Sequence, residues 1–365
     1  MWKKGLAAAV LGLVLVGELR ADANKAGAVV LTIYPGAKAI GMGGAFSAIA
    51  DDPSAVWYNP AALGTLKGGV LYLVHAPWLR TLVESNDSYL EFASLTSSTR
   101  FGTFSLALTY LTVGELNVWQ GDVDYGTTTP YDVVLTLGYG NRLLSTKLGE
   151  LYVGGAAKAL YSFLIPRSIL ERMGEDPNSG DAFTVAFDGS VYLRKWPGYS
   201  ISFGFMNLGP GLRYGNLPPD PLPYSLRVGF GLVPVYDTVN KLQIAFDVHK
   251  VAVGITDEYY NGVDIVDEDT TYRVYGLRAI LMDAWFHVGV DYTFYNLVSF
   301  RIGYFYDRRG LRMGPTFGGA VSYKGFTIDI ADDTQIYDFN KQNDIDVKNN
   351  LRFGFSYTKR DFKLF

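Results

Sequence analysis

Cysteine is absent from this 365-residue chain, and charged residues are scarce. The missing cysteines exclude disulfides, thiol nucleophiles and cysteine-ligated metal sites, and they suit a chain exported through an oxidising compartment. Charged residues make up 19% of the chain, whereas a soluble domain usually carries about 25%. The net charge of −4 provides no basic surface, so we expect no nucleic-acid partner.

Long apolar runs are absent after residue 20. The one apolar run, Gly5 to Gly17, follows Lys3 and Lys4 and is shorter than the roughly 20 residues that a membrane helix needs. Small residues at Ala21 and Ala23 fit a cleavage site. We therefore predict a signal peptide over residues 1–23 and export through the inner membrane, with an uncleaved anchor helix as the alternative.

Aromatic residues and two-residue alternation are abundant instead. From Phe286 to Phe294 every second residue is apolar, and polar or tiny residues such as His287 and Asp291 stand between them. Because successive side chains of a strand point to opposite faces, this pattern predicts strands with one apolar and one polar face. About fifteen such stretches follow one another, as is typical of an antiparallel transmembrane β-barrel. Single-chain bacterial barrels have even strand numbers, and Tyr272–Leu281 is the least regular stretch.

Charges and glycines recur on the polar faces of these strands. A charge that faced lipid at the midplane would cost about 2–4 kcal/mol, so we predict that the charged residues face the lumen. They either hold the lumenal contents by salt bridges or guide anionic head groups. The glycines provide either strand curvature or room for a plug or ligand. The lumen-facing candidates are Arg227, Asp247, His287, Asp291 and Arg301, with Arg273 and Arg352 on similar positions, and the glycines are Gly138, Gly154, Gly204, Gly229, Gly289, Gly303 and Gly354.

Residues 24–67 do not alternate and are rich in small side chains. Glycines at 41, 43 and 44 allow close backbone packing. The pair Asp51 and Asp52 could bind a cation, although a turn or helix cap is the commoner role of such a pair. Pro60 fixes the chain direction ahead of the first strand, and Asn59 could hydrogen-bond to the barrel wall. We predict that this segment folds back into the lumen as a hatch, and its candidate site residues are Gly41, Gly43, Gly44, Asp51, Asp52, Asn59, Pro60 and Ala61.

The block from Gly36 to Leu63 resembles the N-terminal hatch of FadL-like outer-membrane proteins, and it is most similar to the PorV/PorQ branch. The pieces that carry the resemblance are Gly-Met-Gly-Gly-Ala-Phe, Ala-Asp-Asp-Pro-Ser-Ala and Tyr-Asn-Pro-Ala-Ala-Leu. Weaker similarity continues through Phe205–Pro210, Leu222–Phe230 and Phe300–Tyr304. The resemblance implies an even, fourteen-stranded barrel over residues 68–365 with the hatch in its lumen.

A PorV-like protein would bind secreted protein cargo and hand it over at the cell surface, as in type 9 secretion. The alternative is FadL-like transport of hydrophobic small molecules across the outer membrane. The expected partners are therefore outer-membrane lipid and either secreted cargo or a hydrophobic ligand. The expected location is the bacterial outer membrane.

An outer-membrane enzyme ranks last among the functions that we consider. The chain has three histidines, His75, His249 and His287, and none is spaced like a metal ligand. A hydrolase would need a serine, a histidine and an orienting group that converge, and no serine partner stands out. We expect no catalytic residue, no metal and no cofactor.

Overall fold

The computed structural model describes residues 27–77, 87–253, 255–267, 270–308, 312–333, 336–337 and 351–359. The predicted signal peptide and the last six residues lie outside these ranges. Within the ranges, no helix combines the length and apolar character that crossing a bilayer requires.

Fourteen of the strands in the described residues form one closed antiparallel barrel. Its order is β1-β2-β3-β6-β7-β8-β9-β10-β11-β14-β15-β16-β17-β19, and β19 pairs with β1. The hairpins β4–β5 and β12–β13 lie outside it, and β18 adds two residues beside β16. The strands are β1 (Gly69–Pro77), β2 (Tyr89–Thr99), β3 (Gly102–Thr112), β4 (Leu116–Gln120), β5 (Val123–Thr128), β6 (Tyr131–Thr146), β7 (Gly149–Phe163), β8 (Asp181–Lys195), β9 (Tyr199–Leu208), β10 (Ser225–Tyr236), β11 (Asn240–Val251), β12 (Val263–Asp267), β13 (Thr270–Val274), β14 (Trp285–Phe294), β15 (Val298–Asp307), β16 (Arg312–Tyr323), β17 (Phe326–Asp333), β18 (Ile336–Tyr337) and β19 (Leu351–Lys359).

The alternation predicts the two faces of the barrel correctly. On β14, Val288 is 45% exposed on the outer surface, whereas His287 and Asp291 are each 1% exposed. The stretch Tyr272–Leu281 was predicted to be one strand, and this is wrong. It is divided between β13 and the helix Gly276–Met282. Removing it from the count leaves the even number that a single-chain barrel requires.

Arg273 was predicted to face the lumen, and this prediction is wrong. It lies on the hairpin β12–β13, where its half-exposed side chain pairs with Asp264 at 2.6 Å. A hairpin outside the barrel can alternate without having a lumenal face.

The two ends of the barrel differ in their connections. At one end, turns of two or three residues join β2–β3, β6–β7, β8–β9, β10–β11, β14–β15 and β16–β17. At the other end, longer connections carry the hairpin β4–β5 and the helices Arg167–Met173, Ile255–Asn261 and Gly276–Met282. Short turns are periplasmic and long loops are extracellular in barrels of this kind. We therefore call the two ends the periplasmic end and the extracellular end.

Aromatic side chains form groups at both ends of the outer surface. At the extracellular end, Tyr110 lies 5.9 Å from Tyr89 and 5.8 Å from Tyr131, measured between ring centroids. At the periplasmic end, Phe326 and Tyr357 lie 4.6 Å apart. Such rings mark the levels at which an apolar barrel surface meets the lipid head groups.

The main buried core combines residues 27–66 with the inner face of the barrel. This N-terminal segment contains two α-helical turns, Ala37–Gly41 and Ala55–Tyr58, and two 3₁₀ turns, Val29–Thr32 and Pro60–Thr65. Proline opens the last turn, where no amide hydrogen is needed. Each piece is too short to be a stable helix by itself, so its conformation depends on packing against the barrel.

Candidate functional site in the barrel lumen

The N-terminal segment extends through the lumen from one end to the other. At the extracellular end, the Gly27 amide donates a hydrogen bond of 2.9 Å to the carbonyl of Pro221, in the β9–β10 loop. At the periplasmic end, the segment leads through Leu66 into β1. Most residues between these points are buried. The described part of the lumen is therefore occupied by the chain's own backbone.

Glycines on both partners allow the segment to approach the wall closely at β14 and β15. A Cβ atom added to Gly303 would overlap the backbone of Gly43 and would lie 2.7 Å from the Met42 carbonyl oxygen. One added to Gly43 would lie 2.6 Å from the Tyr304 nitrogen, and φ there is +67°. A Cβ on Gly289 would meet the Cβ of Met42 at 2.6 Å. Any larger residue would push the segment off the wall.

The other predicted inward glycines face the segment in the same way, with one exception. Gly138, Gly154, Gly229 and Gly354 adjoin Val56, Ala61, Ser47 and Ala37 respectively. Gly204 instead adjoins Met206 and Ser190 of the barrel. At six of the seven positions, the missing side chain thus leaves room for the segment, which is one of the two roles that the sequence left open.

An ion-pair network ties the segment to the wall near the periplasmic end. Lys38 Nζ of the segment lies 2.8 Å from Asp51 Oδ1 and 3.3 Å from Asp291 Oδ2 on β14. Arg301 Nε on β15 lies 2.9 Å from Asp291, and its Nη1 lies 2.5 Å from Asp329. Because each buried charge has an opposite partner, the network avoids the penalty of an isolated buried ion.

The two aspartates of the segment have separate roles. Asp51 also accepts a bond of 3.2 Å from Lys241 on β11. Asp52 Oδ1 accepts hydrogen bonds from the Ser54 amide at 2.8 Å and from its hydroxyl at 2.5 Å, just before the helical turn Ala55–Tyr58. Asp52 thus takes the turn role that the sequence favoured. No cluster of three potential metal ligands occurs within the described ranges.

Two lumenal histidines bind the same tyrosine of the segment. Tyr34 Oη lies 2.7 Å from His249 Nδ1 and 3.3 Å from His287 Nε2. His287 Nδ1 lies 2.7 Å from the Gly43 carbonyl, which can only accept, so this nitrogen carries the hydrogen. The Arg227 guanidinium lies over the Tyr34 ring, 5.1 Å from its centroid. The histidines therefore hold the backbone and side chains of the segment.

Asp247 on β11 binds the backbone of the segment directly. Its Oδ2 accepts hydrogen bonds from the amides of Phe46 at 3.1 Å and Ser47 at 2.8 Å. The structure thus brings all five lumen-facing candidates of the sequence analysis into contact with the segment or with its ion-pair network. This arrangement differs from a ladder of unoccupied charges along an open pore.

Asn59 was predicted to hydrogen-bond to the barrel wall, and it does not. Its Nδ2 donates a hydrogen bond of 2.7 Å to the Ser47 carbonyl, which joins two passes of the segment to each other. The wall contact of this elbow comes from the Ala61 amide, which donates to Ser190 Oγ at 2.9 Å. Pro60 adjoins Gly140 and Gly154. The prediction that Asn59 lies at a turn is correct. Its hydrogen-bond partner depends on the path of the segment, which sequence spacing does not reveal.

A further buried cluster, which the sequence did not predict, lies where the pairing of β8 and β9 shifts by one residue. Lys158 Nζ on β7 lies 2.8 Å from Asp188 Oδ2 and 2.7 Å from Asn207 Oδ1. Asn207 adopts a φ of +62°, and its amide donates to Asp188 Oδ1 at 2.7 Å. Lys158 also lies 4.6 Å from the centroid of the Trp57 ring in the segment. The sequence signal that could have revealed this cluster is Lys158, a lysine in the alanine-rich middle of β7.

The packing around the segment changes along the barrel axis. Near the periplasmic end, a cavity of about 410 Å³ is lined by charged residues, including Lys38, Asp51 and Arg301. At the extracellular end, apolar residues of the segment and of the loops are buried together, among them Leu31 and Leu222. The outermost part of the buried segment is therefore mainly apolar, and its periplasmic part is ionic, with the Tyr34 hydrogen bonds to the histidines between them.

No protein-family model and no curated protein matches this chain. Among solved structures, the toluene transporter TodX of Pseudomonas putida is similar over 89% of this chain and 98% of that chain, with 12% identity and a TM-score of 0.50. The monoaromatic hydrocarbon channel CymD is similar over 90% of this chain and 98% of that chain, again with 12% identity and a TM-score of 0.50. These likenesses show the fold alone, which is the barrel fold of TodX and CymD.

Proposed function

We propose that this protein admits hydrophobic small molecules through the outer membrane, and that the N-terminal segment is the hatch that closes the path. The observation that carries this proposal is a lumen filled by a segment whose outermost part buries Ala28, Val30 and Leu31 in an apolar core. The two similar structures are described as a toluene transporter and a monoaromatic hydrocarbon channel, which supports the same class of substrate. The findings favour this alternative of the sequence analysis over PorV-like cargo transfer.

The chemistry of the extracellular closure selects for apolar substrates. A hydrophobic molecule can replace the contacts among buried residues such as Val30, Leu31 and Leu212 without loss of hydrogen bonds. An ion or a sugar at the same place would lose its hydration without compensation. The outermost part of the lumen, around Val30 and Leu31, can therefore take up an apolar molecule at low cost when the segment moves.

The barrel can remain closed while the segment moves. Its ladder of hydrogen bonds is complete from β1 round to β19 and does not include the segment. The segment is held by side chains, by glycine contacts, by the backbone bond from Gly27 to Pro221 in a loop, and by its covalent link to β1. Movement of the segment would thus open the lumen without exposing strand edges, which lipid does not tolerate.

The test is deletion of residues 36–54, which removes the glycine contacts at 41–44 together with Lys38 and Asp51. We expect the variant to keep heat-modifiable migration, to conduct ions in planar bilayers and to admit toluene into proteoliposomes faster than the intact chain does. Deletion of residues 117–127, in the hairpin outside the barrel, is the control and should change neither conductance nor uptake. A folded deletion variant with the conductance and uptake of the intact protein would contradict the hatch.

One feature favours protein cargo as a second candidate function. The hairpin β4–β5 at the extracellular end exposes Trp119 by 58% and Val123 by 53%. Within the part of the chain that the structure describes, its strands pair only with each other, so the outer edge of β4 can accept an extended peptide. If cargo transfer is the function, Trp119→Ser with Val123→Ser should release surface-bound secreted proteins and leave toluene uptake unchanged.

A further inference from the structure

An apolar groove of about 470 Å³ lies outside the barrel, at the extracellular end of β14 and β15. The helix Gly276–Met282 forms one side of it, and the barrel wall forms the other. The lining residues that matter here are Leu277, Arg278, Leu281, Phe286, Tyr306 and Arg308. None of them takes part in the lumenal site.

The floor of the groove is continuous with the lipid-facing surface. Phe286 and Tyr306 are directly opposite each other in the β14–β15 pairing. They share the outward face with Val288, Ile302 and Tyr304, which are 45%, 52% and 41% exposed. An acyl chain that lies along this part of the wall would therefore extend into the groove without leaving the apolar surface.

The helix adds a second apolar side. Ala279 is fully buried in a small core with Val263, Ile265 and Val274, so the helix is anchored by that face. Leu277 and Leu281 are four residues apart, lie on one face of the helix and are 64% and 48% exposed. Exposed leucines beside a lipid-facing wall are explained if an apolar chain lies between them and the wall.

Two arginines make the groove favour a negatively charged ligand. Arg278 is exposed on the helix, and Arg308 follows β15 directly. The Nη2 of Arg308 donates to the hydroxyl of Tyr272 at 3.1 Å, which directs this guanidinium toward the helix and hairpin. A guanidinium presents a planar set of donors that matches phosphate oxygens. Arg308 directly follows the extracellular end of β15, and the ends of the spanning strands are where lipid head groups begin.

The groove is held in shape by a buried ion cluster. Lys250 Nζ near the end of β11 lies 2.7 Å from Glu258 Oε2 and also pairs with Asp283, which precedes β14. The connection from β11 to β14 is thus fixed to the barrel near both of its ends. A preformed site loses less conformational entropy when a ligand binds.

We propose that this groove binds one phosphate-bearing lipid of the outer leaflet. One acyl chain lies between Leu277, Leu281 and Phe286, and the phosphate is bound by Arg278 and Arg308. The apolar floor selects a lipid over a soluble anion, and the two guanidinium groups select a phosphorylated head group over a neutral one.

The test is native mass spectrometry of the intact protein in detergent, titrated with diphosphoryl lipid A. We expect the doubly substituted variant Arg278→Gln/Arg308→Gln to weaken this binding at least tenfold. If the double variant folds poorly, the single variant Arg278→Gln takes its place. It changes only an exposed side chain and should show part of the loss in binding. Arg213→Gln, an exposed arginine on the β9–β10 loop, is the matched control and should bind like the unmodified chain. Heat-modifiable migration checks that every variant is folded.

Three results would overturn the proposal. Equal binding by the folded double variant would show that the arginines do not bind the head group. Equal binding of a neutral diacylglycerol would show that the groove has no preference for a phosphorylated head group and makes only ordinary lipid contacts. Displacement of lipid A by millimolar inorganic phosphate or by toluene would identify a soluble-anion site or a small-molecule site instead.

Discussion

A single methyl group at Gly303 should loosen the proposed hatch without harming the barrel. Gly303 faces the lumen at the point where Met42 and Gly43 of the segment reach the wall. An alanine Cβ there would overlap Gly43 and would lie 2.7 Å from the Met42 carbonyl oxygen. Both contacts are with backbone atoms, which cannot rotate away as a flexible side chain can. The segment itself must therefore move.

The size of the effect follows from the cost of overpacking. Inserting a methyl group into a tightly packed interior costs about 1–3 kcal/mol. If this cost falls on the seated segment and not on the strands, the unseated population rises by roughly 5- to 150-fold, since about 1.4 kcal/mol corresponds to a tenfold change in an equilibrium constant. Conductance in planar bilayers should rise in the same proportion while the seated state still predominates.

Gly319→Ala is the matched control for this measurement. Gly319 pairs with Phe300, which is 62% exposed on the outer face. The nearest atom to its added Cβ is the Ser299 carbonyl oxygen at 3.3 Å, and no atom of the segment is near. We expect it to conduct like the unmodified protein. A folded Gly303→Ala protein that conducts no more than this control would refute the idea that the glycine contacts hold the lumen closed.

The remaining predictions concern the two faces of β14 and the extracellular connection. Val290→Arg should destabilise the protein by about 2–4 kcal/mol, because it places a charge on the lipid face. Asp291→Asn should cost about 1.5–3 kcal/mol, because Arg301 and Lys38 each lose one charged partner but keep Asp329 and Asp51. Folding titrations into bilayers measure both changes, and a harmless Val290→Arg would mean that the register is wrong by one. Burial raises the pKa of Glu258 from 4.5 to about 7, while Lys250 lowers it and Asp283 raises it. The stability that protonated Glu258 contributes is therefore present below about pH 4.5 and is lost as the pH rises through 7. Hydrogen exchange in residues 255–261, corrected for its intrinsic pH dependence, should speed up between pH 5 and 8 in the unmodified chain but not in Glu258→Gln.

The barrel could be predicted from the sequence because lipid imposes a strict rule on every strand. An outward polar residue is costly in hydrocarbon, so the two faces of β14 differ in every pair of positions from Phe286 to Asp291. The rule does not apply to residues that lie outside the membrane. Tyr272–Leu281 alternates weakly because it packs on a small core of its own, and only the structure could remove it from the strand count.

The lumenal contacts were only partly predictable, for a related reason. The inward position of Asp247 follows from the alternation, but its partner does not. Its bonds to the amides of Phe46 and Ser47 join residues about 200 positions apart. Asn59 shows the same limit, since its partner is another pass of the segment. Spacing determines the face on which a residue lies, whereas the partner depends on the path of irregular backbone through the lumen.

The two halves of the closure should respond differently to a substrate. The outermost part, residues 28–31, is held mainly by apolar packing, which a hydrophobic molecule can replace contact for contact. The periplasmic half is held by Lys38, Asp51, Asp291 and Arg301, and an apolar molecule offers these charges nothing in exchange. On the proposed function, substrate binding therefore loosens the segment first near residues 28–31, while the hydrogen bond from Tyr34 to His249 and the ionic contacts still hold the rest. Release into the periplasm then requires the ion pairs to separate, so we infer that the ionic half limits the rate of passage.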